Sequence, residues 1–282
     1  MHNKQVWTEE IKAQNFLFSI NVKEIWHYRD LLLMLVKRDY VTFYKQTILG
    51  PIWFFVQPLM TTVVYLVLFG QIAKLSTDGA PQIPFYLAGI TIWNYFSEAL
   101  TKTSTVFKDN ANLFGKVYFP RLIMPLAIVF SGLMKFAIQF GLFILVVLYF
   151  TFIDGKIHPN LWILITPFLI LLMATFALGL GMIFSSLTIK YKDLNFLLTF
   201  GIQLFMYATP VVYPTSAMPK RLEWLLHINP LTGIFECFRY AYLGTGSFKI
   251  SDLMLSTLLI FLLFSIGILI YNRVEKSFMD TV

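Results

Sequence analysis

Charge is what this sequence has least of. Only 13% of its 282 residues are Asp, Glu, Lys or Arg and 57% are hydrophobic, against about 25% charged in a soluble domain. A globule of this size cannot hide so much apolar surface, which excludes an ordinary water-soluble fold and leaves the bilayer as solvent. There is one cysteine, Cys237, so no internal disulfide forms and a small buried hydrophobe is expected. The histidines, His2, His27, His158 and His227, are far apart, and no metal site is expected from them. Neither H-E-x-x-H nor G-x-S-x-G occurs, which removes the sequence support for a zinc protease or a serine hydrolase. Nor is there a phosphate-binding G-x-x-x-x-G-K-[ST]: after Gly115-Lys116 comes Val117, and Asn110 stands where the first glycine belongs. No cofactor is therefore expected in this chain, and ATP-driven work would need ATP and Mg on a partner subunit. The first 20 residues lack the continuous apolar run of a cleavable signal.

What the chain does have is long apolar runs. A spanning helix needs about 20 mostly apolar residues to cross about 30 Å of hydrocarbon. Six segments qualify, at 52–72, 83–107 (the least clean), 122–152, 161–187, 194–213 and 253–271. They predict an all-α, polytopic membrane protein with six transmembrane helices. The net charge of +7 comes from basic residues scattered between these runs rather than gathered in one patch, which fits membrane topology and gives no reason to expect a nucleic-acid partner. With six spans both termini share a side, and that side collects 15 of the 22 Lys and Arg, the opposite side six. The positive-inside rule then puts both termini in the cytoplasm.

Residues 1–50 read as a cytoplasmic N-terminal segment and 51–282 as the six-span domain. Within the first, 23–45 fits a 3.6-residue period. Ile25, Trp26, Leu32, Leu33, Val36, Tyr40, Phe43 and Tyr44 share one broad face, interrupted by Arg29 and Asp39. Charges recur too often for a span, so an amphipathic helix lying in the headgroup plane is expected, ended by Gly50-Pro51. The stretch 214–252 is too apolar for a solvated loop and is broken by Pro214, Pro219 and Pro230. Short re-entrant helices between spans five and six fit it, and backbone at that depth must be buried in protein or line a cavity.

Glu98 and Lys135 are the ionisable residues inside spans and are functional candidates on that ground. At about 1.5 Å per residue, Glu98 falls near the cytoplasmic end of span two and Lys135 about 20 Å along span three, so an ion pair between them is open. The scarcity of such charges argues against proton or sodium antiport. Aromatic residues crowd the span ends. They either belt the membrane interfaces or face inward to stack on sugar rings, with Tyr207 and Tyr213 the foremost inward candidates.

Several motifs in order resemble one family. The string Tyr44 to Trp53, with Gln57-Pro58 after it, resembles the opening of polysaccharide-exporting ABC permeases. Asn112-Leu113 with Lys116 to Arg121 resembles their connection between the second and third spans. Tyr207 to Pro214 resembles the end of their fifth span, and Asn229-Pro230-Leu231 continues the likeness beyond it. The resemblance implies a multi-pass subunit of a bacterial inner membrane, working as a homodimer with two copies of an ATP-binding cassette subunit to export a lipid-linked polysaccharide such as O-antigen, capsule or teichoic acid. It implies that Asn112, Leu113, Lys116, Phe119, Pro120 and Arg121 form the element that docks on the ATPase, and that 214–252 forms an outer gate. On that reading Lys37, Arg38 and Lys45 attract a lipid diphosphate, or serve only as positive-inside charge. Tyr40, Tyr44, Trp53, Tyr207, Tyr213 and Trp224 are the candidates for a glycan path. Two other readings stand beside it. One is an ABC permease for a drug or small lipid. The other is a membrane enzyme acting on lipid-linked sugars, for which the spans offer almost no acid or base.

Overall fold

The computed structural model describes residues 22–45, 50–114, 116–191 and 193–278. His2, Lys4, Lys12, Gly115 and Lys192 lie outside the described residues, as do the side chains of Phe43, Tyr44, Asn112 and Lys276. Among the described residues the regular structure is entirely helical. Two helices open it, α1 (Val22–His27) and α2 (Arg29–Lys45). Four helices are long and apolar enough to cross a membrane: α3 (Gly50–Ile72), α7 (Ile123–Phe152), α8 (Leu161–Thr188) and α12, whose apolar part is Ile250–Val274. Between them lie α4 (Gln82–Ser104), the short α5 (Val106–Asp109) and α6 (Ala111–Phe114), α9 (Leu194–Ala208), α10 (Glu223–Ile228) and α11 (Thr232–Leu243); α12 itself runs Ile250–Phe278.

Local chemistry explains the irregularities. Gly50 starts α3 with φ 53°, a left-handed backbone that favours glycine, and Pro51 fits the first helical turn. Pro58 inside α3 cannot donate to the Phe54 carbonyl four residues back, and one turn on Thr62 Oγ1 donates to the Pro58 carbonyl at 2.7 Å and Thr61 Oγ1 to that of Gln57 at 2.9 Å. The last turns of α3 widen, with Ala73 N donating to Leu68 O.

The bundle is organised around α4. Its run from Pro84 to Trp93 is wholly buried, packed chiefly on α8 and α7 and touched by α3, α9 and α11. The most extensive pair is α8 with α12, brought together by small residues. A Cβ on Gly179 would sit 2.8 Å from the Phe264 Cα, and one on Gly267 would collide with the Gly179 carbonyl. Close backbone approach is what holds helices together where lipid removes the hydrophobic drive.

Three expectations need correction. The 83–107 run ends early, because Thr105 (φ −106°, ψ 5°) breaks α4 at Ser104; its middle is enclosed by protein rather than lipid, so it is less apolar than a lipid-facing span. The run expected to 213 stops at Ala208, since Thr209 is extended (ψ 144°) before Pro210, as proline demands of its predecessor. The N-terminal segment is two helices, and its expected apolar face is divided between the bundle and the surface. Leu35 is buried, with Tyr28, Leu31, Leu32 and Val36 beside it, whereas Trp26 and Leu33 are exposed along with Met34. Both faces are apolar, so periodicity alone could not tell which one meets α7.

Candidate transport site

Three places gather the polar and exposed groups of the bundle that a membrane setting leaves to be explained. The first lies near the start of α3, midway along α7 and toward the end of α4. Lys135 Nζ is 2.6 Å from Glu98 Oε2 and Lys102 Nζ is 2.9 Å from Oε1, so the carboxylate is held at both oxygens. Lys135 also lies 5.9 Å over the Phe54 ring, and Tyr40 of α2 stacks on Phe54 at 6.4 Å. Asp39, which interrupts the apolar face of α2, is neutralised in place. Arg38 grips its Oδ1 through Nε at 3.0 Å and Nη2 at 2.8 Å, while Ser131 of α7 reaches Oδ2 at 3.4 Å. Arg38 is thus engaged, although it is exposed, as are Lys37 and Lys45.

The second is the short connection from α5 to α7. Phe114 stacks on Phe119 at 5.6 Å, Phe107 on Tyr271 at 4.8 Å, and Tyr271 Oη donates to the Arg121 carbonyl at 3.2 Å. Arg121 lies over Phe114. This aromatic cluster fastens the connection to the end of α12. Phe119 is therefore an anchor, and Leu113, Pro120 and Arg121 are half-buried around it. What projects is Lys116, Val117 and Tyr118, the last two 54% and 65% exposed. Val117 and Tyr118 belong to the motif but not to the residues that the resemblance assigns to docking. No sequence period marks them, since three consecutive residues project before the buried Phe119.

The third is the segment after α9. Asn229 Nδ2 donates to Ala208 O at 3.1 Å and to Thr209 Oγ1 at 2.9 Å, tying the end of α9 to the start of α11. Arg239 of α11 donates from Nη2 to Val211 O at 2.5 Å and from Nη1 to Tyr213 O at 3.2 Å, and its guanidinium lies 3.9 Å over Phe85 of α4. Glu236 supplies the counter-charge at 3.9 Å. A Cβ on Gly89 would collide with Val211 O and crowd Arg239 Nη2, so this glycine lets the 209–213 backbone lie against α4. Sequence counting treats Arg239 as a loop cation, yet it is 2% exposed. Beside it, His227 Nδ1 is 3.1 Å from Asp252 Oδ1, linking α10 to α12. Of the aromatic candidates, Trp53, Tyr207 and Trp224 are exposed, and Tyr213 is partly buried, its hydroxyl donating to Tyr207 O at 3.0 Å.

Long apolar helices packed around a protein-enclosed one are the construction of a polytopic membrane protein. The family model for the ABC-2 type transporter matches residues 30–243, from α2 to the end of α11. An O-antigen export system permease protein, RfbA, of Klebsiella pneumoniae is 27% identical over 256 residues, 89% of this chain and 94% of that protein. RfbA of Myxococcus xanthus is 27% identical over 221 residues, 77% of this chain and 82% of its own. The capsule polysaccharide export inner-membrane protein CtrC of Neisseria meningitidis is 22% identical over 244 residues, 84% and 86%. The chain is an integral membrane protein belonging to the ABC-2 type transporter family, as one of its permeases.

Proposed function

We propose that this chain exports a lipid-linked polysaccharide across the bacterial inner membrane, as a homodimer driven by two ATP-binding cassette subunits. The observation that carries the reading is likeness over nearly the whole chain to permeases named for O-antigen export, in a protein without a P-loop of its own. In this account there are six spans. The enclosed α4 is the second. The fifth is α9, whose 15 residues reach about 22 Å and are extended by the buried Thr209 to Val212. Both termini are cytoplasmic, α10 and α11 re-enter from the outer side as the gate, and α1–α2 lie at the inner leaflet with Trp26, Leu33 and Met34 toward lipid.

The connection at 112–121 takes the force of the ATPase. Asn112, Leu113, Pro120 and Arg121 shape it, Phe119 anchors it, and Lys116 stands beside the exposed tip. Lys37 and Lys45 draw the lipid diphosphate toward the bundle, with Arg38 held by Asp39. The sugars then pass along aromatic faces drawn from Tyr40, Tyr44, Trp53, Tyr207, Tyr213 and Trp224. The test is made in cells lacking the chain. Surface glycan is lost and lipid-linked glycan accumulates on the cytoplasmic leaflet. Restoring the wild-type chain reverses both. K37E/K45E slows recovery at least about ten-fold, given about 1 kcal/mol of attraction per basic residue at an anionic surface, while leaving the amount of assembled complex unchanged. Normal surface glycan in the deletion strain contradicts the reading.

A further inference from the structure

Polar side chains at membrane depth call for an explanation, and one pocket collects them. Gln57 of α3, Asn94, Ser97, Glu98, Thr101 and Lys102 of α4, and Lys135 of α7 line an open space of about 320 Å³. By helix rise at about 1.5 Å per residue, Gln57 is roughly 10 Å along α3, Lys135 roughly 18 Å along α7, and Asn94 to Lys102 spans roughly 12 Å of α4. The pocket therefore reaches well inside one half of the bilayer.

Its chemistry selects an occupant. Two ammonium groups share one carboxylate, so the pocket keeps one positive charge after Glu98 is counted. Thr101 Oγ1 donates to Ser97 O at 2.7 Å and Ser97 Oγ to Asn94 O at 3.3 Å. Their protons are engaged, and their oxygens remain as acceptors for hydroxyls. The amides of Gln57 and Asn94 border the same space and offer both donors and acceptors. Along α3, Gln57 stands in an otherwise apolar row with Trp53, Met60 and Val64, all exposed, at the spacing that puts residues on one helix face. A cationic, hydroxyl-reading pocket beside an apolar stripe suits an amphiphile, its anionic head inside and its tail along the stripe.

We propose that this pocket binds the phosphate-bearing head of the exported lipid, Lys135 and Lys102 contacting the phosphate and the amides and hydroxyls contacting the adjoining sugar. The inference rests on the exporter reading. Lys135 exchanges Glu98 for phosphate when the ligand arrives, so Glu98 acts as a resident competitor.

That competition gives an asymmetric test. The full chain, purified with its ATP-binding partner in lipid nanodiscs, is titrated with radiolabelled farnesyl diphosphate, with farnesol and inorganic pyrophosphate as competitors. K135Q should weaken binding at least ten-fold by removing a phosphate contact, while Glu98 keeps Lys102 within α4 and packing between α4 and α7 holds that helix pair together. E98Q should tighten it about three-fold or more, and K135R should stay within about three-fold of wild type. A purely structural ion pair would shift K135Q and E98Q in the same direction, which overturns the proposal, as does equal binding by wild type and K135Q. Displacement by pyrophosphate as effective as by farnesyl diphosphate marks a free-phosphate site, and equal displacement by farnesol a tail-only site; either overturns it too. If K135Q binds like wild type while the ATPase still co-purifies and glycan is still exported, the pocket assignment fails alone. If no ATPase co-purifies, it is the exporter reading that fails.

Discussion

Replacing Arg239 with Met is expected to be among the most damaging single changes in the chain. The guanidinium is 2% exposed and satisfies the carbonyls of Val211 and Tyr213, which belong to the proline-broken segment and have no helix to bond within. Removing it orphans those carbonyls and leaves Glu236, 5% exposed, with its counter-charge gone. Breaking a buried pair by deleting one partner costs about 3–5 kcal/mol, and near 3 kcal/mol an apparent Tm falls by roughly 6–12 °C in a protein of this size. Lysine should not rescue, because a single ammonium cannot fork to both carbonyls while stacking on Phe85. The double variant R239M/E236Q should recover part of the loss, because the orphaned carboxylate is then neutral. The measurement is thermal unfolding in detergent; an R239M protein as stable as wild type would mean the network carries no weight.

The second large effect separates two neighbouring aromatics. Val117 and Tyr118 project from the α6–α7 connection, whereas Phe119 is 5% exposed and stacked on Phe114. V117D/Y118D should leave Tm unchanged and release the ATPase. Two contact losses of about 2 kcal/mol each compound to roughly 1,000-fold in Kd, and export should stop. F119A should do the reverse of this in its first effect, lowering stability by about 3–5 kcal/mol as a buried Phe truncation does. Co-purification and melting of both variants check the pair. An ATPase that stays bound to V117D/Y118D moves the docking surface elsewhere.

How much of this was legible in the residues depended on what surrounds each helix. The runs that became α3, α7, α8 and α12 were plain because helices facing lipid must be apolar around most of their circumference. The run that became α4 read as the least clean, and its burial against α7 and α8 explains why: protein partners there tolerate Asn94, Ser97 and Glu98 where lipid would not. The side of α2 that meets α7 was not legible, because Leu33 and Leu35 are alike in sequence and only packing distinguishes them. Glu98 and Lys135 stood out as charges within apolar runs, and the structure adds Lys102 as the second cation on the same carboxylate. Arg239 was passed over, since a cation in a proline-rich stretch reads as a solvated loop until the carbonyls it serves are in view. At the α6–α7 connection the motif was legible as a unit, but not which members point inward.

A permease that works only with a separate ATP-binding subunit should bring that subunit with it when the full chain is purified from native membranes in mild detergent, with mass spectrometry of what accompanies it and an assay of ATP hydrolysis. A P-loop subunit is expected in amounts equal to the permease, with ATPase activity lost in V117D/Y118D preparations because the subunit is absent. Recovery of the permease alone, in cells that export their surface glycan normally without any such ATPase, would contradict it.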